Sequence, residues 1–559
     1  MWLSFFAPFQ DAIMSRAHQI AFDVARLALL LQCAVLPVFS SPGNVVDTGY
    51  AQYRGNQSFP NTVAYLGIPY AEPPLGELRF RAPLPLNTSR VAAEAGGKVI
   101  DATTYPNFCI QGSTGAGDAG GAGSEDCLKV NIYAPTGAKE GSNLPVLVYI
   151  HGGGYFYGNP ANWPFDPWVH QSPNVVIVSV YYRLDAFGFL SIPEFSDSSI
   201  GDSNAGFSDQ ILALKWVNEH ISSFGGDPQA VTINGQSAGG ASVELHMVAN
   251  TETNLFRGVI AQSVYRTPLA FPEQRVAQFQ LFASTAGCGT GSIASQMACL
   301  RSASVSALAR SQDFVSSTLS GYHLFQPVID EKIFTDFPTR QLDNGKFKNV
   351  AVIVGSTTNE TLAGGATIAA ALQAYFPSMS NETAAAFVAE YPLSEFASEA
   401  LQVQVATGEP SVVCGRDIIA AAVTTRNQAW TYRYNQPNPT QGGFGGTAHA
   451  AENWMMFQGI NTGFNGSGVF TPMTPVETAF AEELIAYWLS FVRSGDPNTF
   501  KLARSPLWPQ FTTSNKARIV LQQDQQNITT QSGIFSETQP ALEGQRCSFI
   551  AEHVVPQQN

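Results

Sequence analysis

AVTINGQSAG, residues 230–239, places a G-x-S-x-G motif directly after a short apolar run and before a stretch with helical character. Residues 230–233 have the apolar, β-branched composition of a strand buried on both faces of a parallel sheet. A serine between such a strand and a helix lies on a sharp turn with its hydroxyl above the sheet, and flanking glycines permit the crowded backbone there. The five-residue pattern also arises by chance, but this context predicts that Ser237 is a nucleophile.

Apolar runs of the same kind recur on both sides of this motif, at residues 146–150, 175–182 and 350–354. A helix is predicted just before the motif, because apolar residues recur there at spacings of 3, 4 and 3: Leu214, Val217, Ile221 and Phe224. Another helix is predicted over residues 476–492, where Gly495 follows as a stop signal. Alternating strands and helices predict an α/β fold with a mostly parallel central sheet flanked by helices.

A glycine-rich loop follows the predicted strand at residues 146–150, and residues 151–154 read HGGG. Consecutive glycines leave backbone N–H groups unobstructed, as an oxyanion hole requires, although a flexible turn is the alternative interpretation. The order favours the first interpretation, because an HGGG loop about 85 residues before a G-x-S-x-G is typical of α/β-hydrolase esterases and lipases. We therefore expect the amides of Gly153, Gly154 and Ala238 to receive a developing oxyanion. His151 itself is expected to be structural.

The nucleophile needs a base, and in this fold the chain order runs nucleophile, acid, histidine. Three histidines are candidates: His323, His449 and His553. His323 precedes the acid candidate, and His553 lies in a polar tail. His449 follows strand-like residues 430–434 and a glycine-rich loop. Elimination predicts His449 as the general base, against the usual interpretation of a lone histidine as a surface or core residue.

Glu360 is the candidate acid, because it follows the predicted strand at residues 350–354 and a short turn. Carboxylates at the carboxyl ends of parallel strands face the crevice in which ligands bind. An exposed loop glutamate is an interpretation of about equal weight on these grounds. In the predicted triad, Glu360 orients the imidazole of His449 and stabilises its protonated form.

Length and charge limit the partners of the chain. Its 559 residues hold 29 lysines and arginines against 43 aspartates and glutamates, and no basic run exceeds two residues. This balance argues against a nucleic-acid partner. No metal or other cofactor is expected, because the sequence has no HExxH helix and no Walker loop. The length permits one or two domains, and the oligomeric state is left open.

Residues 1–41 have the layout of a signal peptide, in which basic residues precede an apolar run at 27–39 and small residues follow it. The run is too short to span a bilayer, and a buried N-terminal helix is the alternative interpretation. Translation starting at Met14 would fit the same layout. The mature chain, residues 42–559, is therefore predicted to be one secreted domain without a membrane span.

Six of the seven cysteines lie outside the predicted signal peptide. Six cysteines allow 15 connectivities. Close spacing favours Cys109 with Cys127 and Cys288 with Cys299, which leaves Cys414 for Cys547. A zinc site would require tighter C-x-x-C spacing, which the chain lacks.

Six Asn-x-Ser/Thr triplets are candidate glycosylation sites in a secreted chain. They begin at Asn56, Asn87, Asn359, Asn381, Asn465 and Asn527. Such triplets also occur by chance, so they support secretion only weakly.

These features together resemble the type-B carboxylesterases, a family that contains cholinesterases and fungal lipases of cholinesterase type. Further matching segments cover nearly the whole mature chain: residues 67–71, 124–128, 182–184, 188–190, 204–216, 224–228, 449–452 and 495–498. The resemblance implies an α/β-hydrolase fold and hydrolysis of a small-molecule carboxylic ester. It also implies Ser237, Glu360 and His449 as the triad, and the disulfide pairing favoured above.

The chain departs from the cholinesterases at two places. Gln236 stands where they typically have a glutamate beside the nucleophile, and the 17 residues between Cys109 and Cys127 include no aromatic residue. Cholinesterases use a tryptophan in that loop to bind a quaternary ammonium group by cation–π contact. A choline ester is therefore not expected to be the dedicated substrate.

The same loop supplies an amphipathic lid in the fungal lipases, but residues 112–124 are rich in glycine, alanine and serine and have no apolar stripe. We expect an open gorge that favours soluble or short-chain esters. A lipase or sterol esterase is the nearest alternative, and a peptidase or acyltransferase with the same triad stays open. A non-catalytic adhesion protein is more remote, because such proteins usually lose the serine or the histidine. The aromatic residues of loop 155–168 either line the pocket or pack in the core.

Overall fold

The predicted apolar runs form the centre of a thirteen-stranded sheet in the computed structural model of the chain. The structure describes residues 44–112, 123–251, 254–319, 325–441, 446–462 and 468–559. The strands are β1 (Val45–Asp47), β2 (Gln52–Phe59), β3 (Thr62–Pro69), β4 (Ile100–Ala102), β5 (Lys129–Pro135), β6 (Leu144–Ile150), β7 (Val176–Val180), β8 (Gly226–Gln236), β9 (Gly258–Gln262), β10 (Ala351–Thr357), β11 (Ala429–Tyr434), β12 (Ile460–Thr462), β13 (Gly468–Phe470), β14 (Ala517–Leu521) and β15 (Phe535–Thr538).

Several predicted features lie outside the described residues. They are the signal peptide at residues 1–41, His323, the sequon asparagine Asn465 and most of the loop at residues 112–124. Residues Gly43–Asn559 form one compact unit. Within the described ranges, no helix is long and apolar enough to cross a membrane.

The sheet is parallel at its centre and antiparallel at its edges. Its order is β1-β2-β3-β5-β7-β6-β8-β9-β10-β11-β14-β15, with β4 beside β2, while β12 and β13 form a separate hairpin. The strands from β7 to β14 in this order pair in parallel, whereas β5 and β15 join them antiparallel. Every residue of β7 and β9 is buried, as expected for strands that are covered by helices on both faces. The predicted α/β-hydrolase architecture is confirmed.

Helices cover this sheet. They are α1 (Thr88–Ala95), α2 (Asp166–Gln171), α3 (Asp185–Phe189), α4 (Ala205–His220), α5 (Ala238–Val248), α6 (Val276–Thr285), α7 (Ile293–Ser302), α8 (Val305–Thr318), α9 (Pro338–Asp343), α10 (Ile368–Tyr375), α11 (Asn381–Ala389), α12 (Glu399–Gly408), α13 (Cys414–Val423), α14 (Ala451–Met456), α15 (Pro475–Ser494), α16 (Ala541–Glu552) and α17 (Val554–Gln557). The two predicted helices correspond to α4 and α15. Gly495 ends α15 in the left-handed conformation, with φ 78°, which glycine adopts without a steric penalty.

The helix at α4 begins and ends earlier than its apolar stripe indicates. It starts at Ala205 and stops at His220, and residues Ile221–Phe224 form a 3-10 turn instead. Gly225 follows with φ 87°. The periodic side chains of the last turn are buried in either conformation, so the apolar stripe by itself does not distinguish an α-helical turn from a tighter one.

Three disulfide bonds join the cysteines in the favoured pairs: Cys109–Cys127, Cys288–Cys299 and Cys414–Cys547. The third bond connects α13 to α16 across a sequence separation of 133 residues. It therefore ties the C-terminal helix to the helical layer next to β10 and β11.

We expect replacement of Cys414 and Cys547 by alanine to lower the free energy of unfolding by about 5 kcal/mol. A bond that closes a longer loop removes more conformational entropy from the unfolded chain. The matched control is the Cys288→Ala/Cys299→Ala variant, whose bond spans only 11 residues and whose loss is expected to be about 3 kcal/mol. Urea denaturation of both variants measures the difference. Equal losses would mean that loop entropy does not set the contribution of these bonds.

Candidate active site

The three predicted site residues lie beyond the carboxyl ends of parallel strands in the centre of the sheet. Ser237 follows β8 directly, Glu360 follows β10 after a short turn, and His449 lies in the loop after β11. β9 pairs in parallel with both β8 and β10, so the strand ends that precede Ser237 and Glu360 lie close together. β11 pairs in parallel with β10, which brings the strand end that precedes His449 next to them.

Ser237 sits on a sharp turn between β8 and α5, with φ 60° and ψ −124°. A non-glycine residue holds such a conformation only when its surroundings impose it. The Ser237 N–H donates to the Gln262 carbonyl at 2.9 Å, and the Ser237 carbonyl accepts from the N–H of Ala241 at 2.8 Å. Ser237 is largely buried, with a relative exposure of 9%.

The motif glycines allow α5 to pack directly against the backbone of the sheet. A methyl group on Gly239 would collide with the carbonyl oxygen of Ile150, at the end of β6. A methyl group on Gly235 would collide with the carbonyl of Gly239. Any larger residue at either position would push the N-terminus of α5, and with it Ser237, away from the sheet.

His449 connects the other two residues. Its Nε2 lies 2.8 Å from the Ser237 hydroxyl oxygen, and its Nδ1 lies 2.5 Å from Glu360 Oε2. The second carboxylate oxygen of Glu360 accepts the N–H of Thr357 at 2.8 Å. With Nδ1–H donating to the carboxylate, Nε2 is left to accept the serine proton. The structure thus brings all three residues into one chain of hydrogen bonds.

An isolated parallel bridge between Asn359 and Ala448 sets Glu360 and His449 side by side. The two residues that follow the bridge are the carboxylate and the imidazole, so the backbone pairing aligns them before any side-chain contact forms. Of the other candidate histidines, His553 hydrogen-bonds through Nδ1 to the Phe549 carbonyl of its own helix. It takes no part in this site.

The electrostatics of the acid and the histidine are coupled. Burial alone would raise the pKa of Glu360, but His449 and hydrogen bonds from His449, Ser263 and the Thr357 amide outweigh burial and lower it. Burial alone would lower the pKa of His449, yet the charge and hydrogen bond of Glu360 prevail and raise it. The pair therefore favours an ionised carboxylate beside an imidazole that accepts a proton readily.

The HGGG loop lies against the turn of Ser237. A Cβ on Gly152 would come within 3.0 Å of the Ser237 Cβ. Gly153 and Gly154 have φ of 107° and 63°, values that favour glycine. Within the described ranges, neither of their amides donates a hydrogen bond. The Ala238 amide belongs to the first turn of α5, where N–H groups have no intrahelical acceptor. The predicted oxyanion donors thus border the nucleophile.

His151 and two aromatic residues of the following loop are packed in the core. His151 is 1% exposed and stacks against Tyr182 and Trp163, with centroid distances of 4.5 and 5.6 Å. Burial lowers its pKa to about 4, so it stays neutral and structural. Trp163 and Phe165 are buried and therefore pack in the core, whereas Phe156 and Tyr157 are half-buried.

Glu452 is a site residue to which the sequence patterns gave no role. It is buried in α14, and its Oε1 accepts from the Ser263 hydroxyl at 3.5 Å. Burial, and then the nearby charge of Glu360, raise the pKa of Glu452 to about 7. The signal in the sequence is a lone carboxylate, three residues after His449, in a helical run whose one other polar residue is Asn453.

We expect Glu452→Gln to weaken the pH dependence of stability. A carboxyl whose pKa is higher in the folded state holds a proton that the unfolded chain releases, so wild-type stability falls as pH rises from the ordinary glutamate pKa of 4.5 towards 7. The variant lacks this loss, which is about 3 kcal/mol across the window. Urea denaturation at pH 4 and pH 8 compares the two proteins. Parallel curves would show that Glu452 titrates normally.

The fold and the geometry of this site define an α/β hydrolase with a serine, a histidine and a carboxylate at the carboxyl edge of its sheet. The sequence profile of the carboxylesterase family matches residues 42–549. The chain therefore belongs to the carboxylesterase family and is a carboxylic ester hydrolase.

Known proteins resemble the chain over most of its length. Acetylcholinesterase of Bungarus fasciatus is 31% identical and aligns with 88% of this chain and 83% of its own. Carboxylesterase 1C of Rattus norvegicus is 29% identical, over 93% of this chain and 95% of its own. The crystal structure of Aspergillus niger EstA superimposes with a TM-score of 0.78 and 28% identity, covering 92% of this chain and 99% of that one.

Proposed function

We propose that the chain hydrolyses carboxylic esters through an acyl-enzyme on Ser237. The observation that carries this proposal is the position of His449, which reaches the Ser237 hydroxyl with one ring nitrogen and the Glu360 carboxylate with the other. In such an arrangement the imidazole acts as general base, and the carboxylate keeps it in the required tautomer.

The reaction has two halves. Ser237 Oγ attacks the ester carbonyl carbon while its proton passes to His449 Nε2, and the carbonyl oxygen becomes an oxyanion. The intermediate then collapses, and the leaving alkoxide takes the proton from His449 and departs as the alcohol. In the second half, water attacks the acyl-enzyme, gives a proton to His449 and releases the carboxylic acid. Ser237 recovers its proton from the histidine.

The developing charges have partners in the site. In this proposal the amides of Gly153, Gly154 and Ala238 donate to the oxyanion, and each donor contributes about 3 kcal/mol in the transition state. Glu360 stabilises the imidazolium, because its lowered pKa keeps it ionised while His449 is protonated. Every group named here as a partner of a developing charge belongs to the chain itself.

The substrate is proposed to be a soluble or short-chain ester. Gln236 is neutral and its Oε1 accepts from the Asn453 side chain at 3.3 Å, so no carboxylate charge adjoins the nucleophile at this position. The sequence between Cys109 and Cys127 contains neither an aromatic residue for a quaternary ammonium group nor an apolar stripe for a lid. Both features disfavour a choline ester, and the second also disfavours interfacial activation.

Hydrolysis of p-nitrophenyl esters from acetate to palmitate tests this proposal, with Ser237→Ala as the control for background. We expect a maximum at short chains, a loss of about 10⁶-fold in the variant, and no sharp rise on tributyrin above its solubility limit. A maximum at long chains with a jump at the interface would instead establish a lipase. No activity in either protein would overturn the catalytic proposal.

We also propose secretion as a glycoprotein, with residues 1–41 removed. The three disulfides are compatible with an oxidising compartment. Among the five described sequon asparagines, Asn87, Asn381 and Asn527 are exposed, and Asn56 and Asn359 are half-buried. The proposed glycan positions are Asn56, Asn87, Asn381, Asn465 and Asn527, whereas the side-chain amide of Asn359 is hydrogen-bonded to Gln404. N-terminal sequencing of the secreted protein checks the cleavage site, and a start before residue 40 would contradict it.

A further inference from the structure

Asn359 holds the loop of His449 against the strand end that carries Glu360. Its side-chain Oδ1 accepts the N–H of Thr447 at 2.9 Å. Its own backbone N–H donates to the Thr447 carbonyl at 3.0 Å. The backbone and the side chain of Asn359 therefore both hydrogen-bond to the backbone of Thr447, two positions before His449.

The other end of the Asn359 amide is also engaged. Its Nδ2 donates to the side-chain oxygen of Gln404 at 3.2 Å, and Gln404 belongs to α12. On the opposite side, a methyl group on Gly446 would collide with the Asn359 Oδ1. The amide thus lies between α12 and the histidine loop, in a residue that is half-buried.

The hydrogen bonds of Asn359 lie next to Glu360 and His449, the two triad residues that must be aligned. The parallel bridge from Asn359 to Ala448 is a single residue pair and has no neighbouring ladder to support it. Ala450 then takes a left-handed conformation, with φ 64°. His449 lies between this turn and the bridge. The hydrogen bonds of Asn359 therefore affect the distance from His449 Nδ1 to Glu360.

Asn359 also begins the sequon that ends at Thr361. A glycan on asparagine is attached to Nδ2, the atom that donates to Gln404. A sugar at that atom would lie beside the Gln404 side chain of α12 and disturb its hydrogen bond to Asn359.

We propose that Asn359 is a positioning residue for the Glu360–His449 pair and is unmodified in the active enzyme. It acts through the backbone of Thr447. The kinetic consequences of this inference rest on the proposed function. The absence of a glycan on Asn359 does not depend on that function.

The kinetic test compares Asn359→Ala with Asn359→Asp. We expect Asn359→Ala to lower kcat by about 10- to 100-fold with KM nearly unchanged, because misplacing a catalytic group by a fraction of an ångström has effects of this size. The acid limb of its kcat–pH profile should move to lower pH, because His449 loses part of its contact with the carboxylate.

Asn359→Asp keeps an acceptor for the Thr447 N–H, so we expect it to restore most of kcat. Its added negative charge should move the acid limb to higher pH. If Asn359 had a merely structural role, its substitution would change the thermal unfolding temperature but would not move the acid limb of the kcat–pH profile. Asn359→Ala with kcat within about twofold of wild type and an unmoved limb would overturn the proposal.

Peptide mass spectrometry of the secreted wild-type protein tests the modification. We expect glycans on Asn87 and Asn381 and none on Asn359. Thr361→Val removes the sequon without changing Asn359, and it should alter neither kcat nor the glycan mass. A glycan on Asn359 in the active fraction would overturn the proposal. If wild type itself hydrolyses no ester, the proposed function fails, and the peptide result still decides whether Asn359 is free.

Discussion

Ser237→Ala is expected to lower kcat for p-nitrophenyl butyrate by about 10⁶-fold, because the variant has no oxygen with which to form the acyl-enzyme. Residual catalysis of about 10³- to 10⁴-fold over water should persist, since the oxyanion donors and the binding surface remain. Steady-state rates of purified protein, corrected for trace wild type by active-site titration, give this measurement.

Ser242→Ala is the matched control for this variant. Ser242 is fully buried in the same helix, α5, and hydrogen-bonds to Gln210 and Tyr155 at 3.1 and 3.3 Å. Its loss is expected to affect stability and to leave kcat nearly unchanged. Comparable loss of kcat in both variants would mean that damage to α5, and not removal of the nucleophile, explains the effect.

The double variant Ser237→Ala/His449→Ala provides a further check of shared action. If the histidine serves only to move the serine proton, its removal has no additional effect once Ser237 is absent. We therefore expect the double variant to match Ser237→Ala within a few-fold. A multiplicative loss would show that His449 contributes independently of Ser237.

Glu360→Gln is expected to lower kcat by about 10⁴-fold, because an amide cannot stabilise the imidazolium and favours the wrong histidine tautomer. Glutamine has nearly the same shape as Glu360, so its Oε1 can still accept the Thr357 N–H. The loss therefore reports charge and proton placement more than packing. The same substrate series and protein concentrations apply.

The pH profile separates this explanation from general damage. Glu360 raises the pKa of His449, and the base is active only when unprotonated, so wild-type kcat should rise with pH through a limb above the ordinary histidine value of 6.5. Removing the charge lowers that pKa and moves the limb to lower pH. Glu360→Asp keeps the charge and should keep the limb. A Glu360→Gln limb that stays in place would contradict the assignment of Glu360.

Local patterns predicted the elements next to Ser237 well. The strand before it and the helix after it both exist, and the motif glycines meet backbone contacts that leave no room for a side chain. The boundaries were less accurate, because β8 extends over Gly226–Gln236 while only residues 230–233 show the apolar pattern. Strand ends depend on pairing with neighbours, which a single run of residues does not record.

Residues that gain their properties from burial were harder to predict. Glu452 has a pKa near 7 only because α14 buries it beside Glu360. Asn359 reads as a glycosylation triplet, whereas its amide is hydrogen-bonded to Gln404 and to the loop of Thr447. Aromatic residues after the HGGG loop could line the pocket or pack in the core, and Trp163 and Phe165 pack in the core.

The sequence by itself determined the fold class, the family and the position of the nucleophile, because these depend on short-range features: buried strand composition, glycine at crowded turns, and motif order. Only the tertiary structure shows that the predicted His449 and Glu360 meet, and in what geometry. Glu360 and His449 are 89 residues apart, and their contact depends on the parallel pairing of β10 with β11 and on one bridge beyond it. Loop length and composition do not specify that alignment, whereas the packing of the strands and the hydrogen bonds of Asn359 do.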